Sequence, residues 1–168
     1  MRKLPIAILA AAVFSANAFA TTLTGPSVDV DASVNVTAPT TITASWTPVT
    51  GLVAGVQPDR TAIGNLSVAN VGSADGWAVF TNAGSADSVF EGNAAHYIFR
   101  NDDGSSVKAH VSISDYDGVK HGPGTGIGKG PSTFIPAQHS NVNFILTGDQ
   151  QMNAGTYRTT LSVSAFNN

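Results

Sequence analysis

The groups best suited to chemistry crowd into DYDGVKHGPGTGIGKG, residues 115–130, and each pattern they suggest can be tested by its spacing. GPGTGIGKG invites a phosphate-cradling loop, in which backbone N–H groups wrap the phosphates and a lysine neutralises them. Such a loop needs Gly six residues before its Lys and Ser or Thr after it. Here Pro123 stands six before Lys129, and Gly130 follows. The dinucleotide pattern fails too, because Lys129 falls five after Gly124 and no strand-to-helix context surrounds it. DYDG opens like a calcium loop, but the third ligand position and the distal Glu are absent. His96, His110, His121 and His139 are scattered without zinc-ligand spacing. Serines abound without a G-x-S-x-G elbow, and nothing selects a facing carboxylate pair such as Asp87 and Glu91 for glycoside hydrolysis. The expectation is a protein that is not an enzyme, with no catalytic residue, no cofactor and no metal. Residues 115–132 then read as a surface loop.

Elements that could position anything else are strands. The segment VDVDASVNV, residues 28–36, alternates without a break: Val28, Val30, Ala32, Val34 and Val36 share one face, while Asp29, Asp31, Ser33 and Asn35 share the other. Pro39 interrupts the pattern before Ile42, Ala44 and Trp46 resume it. Further strands are predicted at NLSVANV (65–71), WAVFT (77–81), HYIFR (96–100), VKAHVSIS (107–114), VNFILT (142–147) and TYRTTLSVSAF (156–166). NDDG, residues 101–104, is a strong hairpin turn between two of them. PVTGLVAGVQPDRTAIG, residues 82–93 and GDQQMNAG read as loops or turns. No helical periodicity survives. Many short strands separated by turn signals predict an all-β, immunoglobulin-like β-sandwich.

Residues 1–20 carry Arg2 and Lys3, an apolar run from Leu4 to Phe14, and Ala18-Phe19-Ala20, which predicts a secretory signal peptide cleaved between Ala20 and Thr21. The run is shorter than the roughly 20 residues that span a bilayer, so no membrane insertion of the mature chain is expected. About 150 residues then remain, the size of one domain. No cysteine is present, so this exported chain forgoes disulfides. Eight basic against eleven acidic residues give a formal charge of −3, which argues against nucleic acid as a partner. Charged residues make up only 11% of the chain, below the roughly 25% of ordinary soluble domains, which suits a polar, weakly charged β surface.

WTPVTGLVAG (46–55), NFILTG (143–148) and AGTY followed by alternation from residue 154, in an exported chain without cysteine, carry a family likeness. The sequence resembles the major subunits of bacterial chaperone-usher fimbriae. It looks closest to the Saf-type and Sef-type Salmonella subunits and is more distantly similar to the plague F1 capsular subunit. The resemblance implies an incomplete sandwich that lacks its last strand and is completed by donor-strand exchange from a neighbouring subunit. Residues 21–38 would be the donor extension and 39–168 the pilin domain. Val28, Val30, Ala32, Val34 and Val36 would be the donor side chains. Ile42, Ala44, Trp46, Tyr157, Leu161, Val163 and Ala165 would line the acceptor groove, with Phe144 and Leu146 as its floor. Implied partners are further copies of the chain in a homopolymer, a periplasmic chaperone and an outer-membrane usher, and the implied location is a cell-surface fimbria reached through the periplasm. A host receptor stays open, with the loops at 82–93 and 115–132, including Tyr116 and His121, as candidate contacts.

Three alternatives remain at the level of sequence. Residues 28–36 could form a hairpin with 40–46 of their own chain, with TAPT as the turn. The protein could be a monomeric secreted carbohydrate-binding β-sandwich, or a fimbrial adhesin subunit. Possession of an extension and the lack of a spare receptor domain favour the repeating shaft subunit over a tip.

Overall fold

Alternation along each strand sorts side chains between a dry and a wet face, and the computed structural model, which describes residues 41–81, 86–123 and 130–168, shows the result. In β3 (Ala62–Ala69) Leu66 and Val68 are buried while Asn65 and Ser67 reach toward solvent. In β10 (Asn141–Leu146) Val142, Phe144 and Leu146 point in and Asn141 and Asn143 point out. A register shift between Phe144 and Ile145 buries Ile145 as well. β6 (Ala94–Arg100) contributes Ala95, Tyr97 and Phe99 to the core, and β7 (Ser106–Val111) contributes Val107, Ala109 and Val111. Asn101–Gly104 joins those two as the sequence predicts, with the Gly104 N–H donating to the Asn101 carbonyl at 3.0 Å. Gly104 takes φ +87°, a conformation that glycine adopts without steric cost.

The protein is all-β. One sheet has six strands in the order β1-β3-β10-β7-β6-β5, where β1 is Thr43–Pro48 and β5 is Ser88–Glu91. The other has four in the order β12-β4-β9-β8: β12 is Ser162–Phe166, β4 Gly76–Phe80, β9 Ser132–Pro136 and β8 Lys120–Gly122. A two-stranded ribbon pairs β2 (Gly55–Gln57) with β11 (Gln150–Met152). Trp77, Val79 and Ile135 of the four-stranded sheet join one core cluster with the inward residues of the six-stranded sheet. Polar handles cross that core: the Tyr97 hydroxyl on β6 donates to the Val79 carbonyl on β4 at 2.8 Å and lies 2.9 Å from Thr133 Oγ1 on β9. Full burial pushes the Tyr97 hydroxyl's pKa well above the ordinary tyrosine value. The Trp77 indole donates to the His139 carbonyl at 2.7 Å.

Several expected loops contain strands. β2 lies within PVTGLVAGVQPDRTAIG, β5 within 82–93, β11 within GDQQMNAG and β8 within the long glycine-rich segment. These strands are three or four residues long and satisfy backbone groups without an alternating signature of their own. β9 is the larger correction. It begins at Ser132, where that loop was expected to end, and occupies an interior position between β4 and β8. Its Ser132 and Thr133 are buried polar residues, which blunts its hydrophobic pattern. The expected strand at 156–166 is also divided. Arg158 makes an isolated bridge to Arg100 at the end of β6, after which the chain crosses to the other sheet and pairs with β4 from Ser162.

Candidate functional site

The crossing of the C-terminal segment between sheets builds the site. β1 and β12 each stand at the end of their sheet's strand order and pair with a single described neighbour, β3 and β4 respectively. Between them runs a groove of about 630 Å³ lined by Ala44, Trp46, Leu66, Phe99, Tyr157, Leu161 and Val163, among others. A second depression of about 430 Å³ continues it past Pro48, with Val49, Leu52, Val53, Met152 and Asn153 added to its walls. Trp46, Phe99 and Tyr157 line both, so the two form one trough.

Trp46 is the centre of the trough. Its ring centroid lies 5.6 Å from that of Phe99 and 5.3 Å from that of Phe144, the latter edge to face. Gly64 on β3 makes this seat, because a Cβ there would come within 2.0 Å of the Trp46 ring. Aromatic pairs in such geometry are worth about 0.5–1.5 kcal/mol beyond burial. Tyr157 is fixed from the other side: its hydroxyl accepts from the Asn153 N–H at 2.8 Å and lies 3.0 Å from Ser105 Oγ. Arg158 exchanges both backbone hydrogen bonds with Arg100 at 2.8 Å, which anchors the start of the C-terminal segment. Thr159 is the exception to this good order. Its hydroxyl is buried in the trough wall with no described partner.

Of the residues singled out from sequence, Ala44, Trp46, Tyr157, Leu161 and Val163 meet in the trough. Phe144 lies fully buried beneath Trp46. Ile42 packs against the core ahead of β1, and Ala165 sits half-buried on β12 opposite Trp77; neither lines the trough. Leu146 is wholly enclosed and belongs to the core, not the trough lining. Phe99, Leu66 and Leu52 line it without having been singled out. Alternation in HYIFR, which places Tyr97 and Phe99 on one face, is the signal that points to Phe99. Val28, Val30, Ala32, Val34 and Val36, the Ala20–Thr21 junction and the glycine-rich residues 124–129 lie outside the described residues.

The histidines are less scattered than their spacing suggests. Antiparallel pairing of β6 with β7 brings His96 and His110 to 5.4 Å between ring centroids. Thr147 Oγ1 lies 3.0 Å from the Nδ1 of His96 and 2.8 Å from the Nδ1 of His110. Burial, then the nearby His96, lowers the pKa of His110. Burial, then His110, pushes His121 down to about 4, while its Nδ1 lies 3.0 Å from Thr133 Oγ1. Among the described residues no group of three or more His, Asp or Glu side chains converges as a metal site.

No protein-family model matches the sequence, and no curated protein matches it. Solved structures do. The chain is similar to the Salmonella SafD adhesin, with a TM-score of 0.57 and 16% identity over 77% of this chain and 90% of that one. It is similar to HdaB, the minor tip subunit of the E. coli Hda pilus, with a TM-score of 0.57 and 17% identity over 76% and 84% of the two chains. AggB, the minor subunit of E. coli aggregative adherence fimbriae type I, gives 0.54 and 15% over 75% and 86%. This fold is the immunoglobulin-like one of fimbrial subunits.

Proposed function

We propose that the protein is a subunit of a bacterial surface fimbria, and that it polymerises by receiving the N-terminal extension of another copy in its open trough. The observation that carries this reading is the side that the described residues leave open between β1 and β12, two strand edges with an apolar lining between them. An extended segment laid there would pair with both edges, and one with alternating valines would drop its dry face onto Trp46, Leu161 and Val163. Residues 28–36 have that pattern. Burying a valine fully is worth about 1.5–3 kcal/mol. Four would supply on the order of 6–12 kcal/mol as an upper bound, before any ladder hydrogen bonds. Strand addition to a sheet edge is a general mode of recognition, and here it would also complete a core.

In this reading residues 1–20 are a signal peptide, 21–38 the donor extension and 39–168 the body. Before assembly the trough exposes apolar surface and unpaired edges, a template for aggregation. That hazard calls for a periplasmic chaperone that covers the trough and an outer-membrane usher that oversees its replacement. The activity is structural and supports adhesion; no arrangement of side chains among the described residues calls for an enzyme. The decisive experiment compares unheated and heated denaturing gels of the protein exported from cells carrying its chaperone. A ladder that collapses on heating, and is absent from a variant lacking residues 21–37, is the expected result. A heat-independent monomer with the extension intact refutes polymerisation.

A second reading, the terminal adhesin of a fimbria, draws on what its structural neighbours are: an adhesin and minor or tip subunits. The donor-like extension favours the shaft. Immunogold labelling separates them, since a shaft subunit decorates the whole fibre and a tip subunit only its end.

A further inference from the structure

The described surface exposes few large apolar side chains, and they are not evenly spread. Val49, Val53, Val56 and Ile113 are the exposed ones; Val53 is 72% and Val56 66% exposed. Three of these four belong to the segment that follows β1, at one end of the trough, and two of them, Val49 and Val53, form its rim. At the other end, where β1 begins, the surface around Thr43, Ala69, Ser140 and Asn141 carries no exposed large apolar side chain among the described residues. Clustered exposed apolar residues on a soluble chain mark an interaction surface.

We propose that Val49, Val53 and Val56 receive the body of a second copy of this chain, the copy whose extension fills the trough; the inference rests on the donor-strand reading above. Chain length ties the two contacts together. Only six residues separate Val36 from Thr43, the first residue of β1. At about 3.3–3.6 Å per residue this tether spans at most roughly 25 Å, so the donor's body must sit at one end of the trough. The trough is flanked by chain segments of opposite direction, since Ala44 shares a wall set with Val163, and Val53 shares one with Met152. Edge pairing alone therefore permits either polarity for the inserted strand. The exposed valines select one: the strand runs parallel to β1 and leaves the trough past Pro48. The pole around Thr41 of one copy then meets the Val49–Val53–Val56 pole of the next. Such a contact is heterologous, so it propagates as an open filament rather than closing into a dimer.

Because the chain has no cysteine, paired substitutions report this contact directly. Within one copy Thr41 and Val53 lie beyond opposite ends of β1, too far apart for a disulfide. The test oxidises three double variants, Thr41→Cys with Val53→Cys, Thr41→Cys with Asn167→Cys, and Thr41→Cys with Ile113→Cys, and runs each heated and unheated, with and without reductant. The expected result is a ladder that survives heating only for the Val53 pair and collapses when reductant is added. A heat-stable ladder from the Asn167 pair, from the Ile113 pair, or from none of the three while the unheated ladder is intact, overturns the docking surface and leaves donor-strand exchange standing. Loss of the unheated ladder from the unsubstituted protein refutes donor-strand exchange itself, and the docking surface with it.

Discussion

Replacing Gly64 with alanine tests whether the Trp46 seat governs the trough. Gly64 has no positive φ, so local preference alone favours alanine: removing a glycine's unfolded-state freedom is worth about 0.4–1 kcal/mol where the backbone is compatible. Sterics point the other way. The added Cβ would stand 2.0, 2.5 and 2.6 Å from three carbons of the Trp46 ring, and no rotation of a methyl relieves contacts that close. The indole must leave, and it can leave only toward the trough, because Phe99 and Phe144 occupy its inner side. Overpacking costs about 1–3 kcal/mol, and two aromatic pairs worth about 0.5–1.5 kcal/mol each are lost with it. Set against at most about 1 kcal/mol gained, the net expectation is a destabilisation of about 1–5 kcal/mol.

Urea denaturation of the protein, followed by tryptophan fluorescence, measures this directly. Trp46 is half-exposed and Trp77 fully buried, so displacement of the indole also shifts the folded-state emission to the red. The mechanism makes a sharper demand on a double variant. If the whole cost is the clash with Trp46, Gly64→Ala costs nothing further once Trp46→Ala has removed the ring, and the pair is strongly non-additive. A Gly64→Ala variant as stable as the parent, or a double variant whose losses simply add, refutes the assignment of this glycine to the indole.

Thr159→Val removes a buried hydroxyl that has no described partner while keeping the side chain's shape, so stability should rise by about 1 kcal/mol, read as a higher urea midpoint. Tyr97→Phe takes the donor from the Val79 carbonyl in a fully buried site, while Thr133 keeps His121 as a partner; it should cost about 1–3 kcal/mol, read as a lower urea midpoint. Burial holds His110 and His121 below the ordinary histidine value of about 6.5 in the folded protein, His121 at about 4, so the folded state binds fewer protons than the unfolded one across that interval. Their contribution is complete above pH 6.5 and declines as pH falls toward 4. The groups facing them, His96, Asp59, Arg60 and Asp115 around His110 and His110 and His96 around His121, stay unchanged in a His121→Asn variant. The urea midpoint of that variant should fall less steeply between pH 6.5 and 4, and an unchanged slope would exclude His121 as a source.

The strands β3, β6, β7 and β10 were legible in the sequence, and so was the NDDG hairpin, because a period of two and a turn residue with positive φ are local properties. β9 was not. Two of its three buried positions are filled by Ser132 and Thr133, whose hydroxyls are satisfied by Gly130 and by Tyr97 and His121, partners that only the fold supplies. The division of the 156–166 segment was equally hidden, since Tyr157, Thr159, Leu161, Val163 and Ala165 keep one uninterrupted alternation while their backbone changes sheets. The His96–His110 pair shows the same limit: fourteen positions apart in sequence, they adjoin through strand register, which spacing along the chain does not encode.

The half-exposure of Trp46 unites these observations. A tryptophan on an edge strand, packed on two phenylalanines, has every reason to be buried, and the chain provides a glycine at Gly64 to seat it. Yet among the described residues β1 ends its sheet and the trough opens above the ring. The same holds across the trough, where Leu161 and Val163 are only partly buried. A self-sufficient sandwich without disulfides gains nothing by leaving this side unfinished, because each exposed apolar residue forfeits burial it could have had. The arrangement becomes economical once an additional strand is part of the working structure. In the proposed polymer, stability that the isolated body lacks would be supplied at the junction between copies, where it would also hold the copies together.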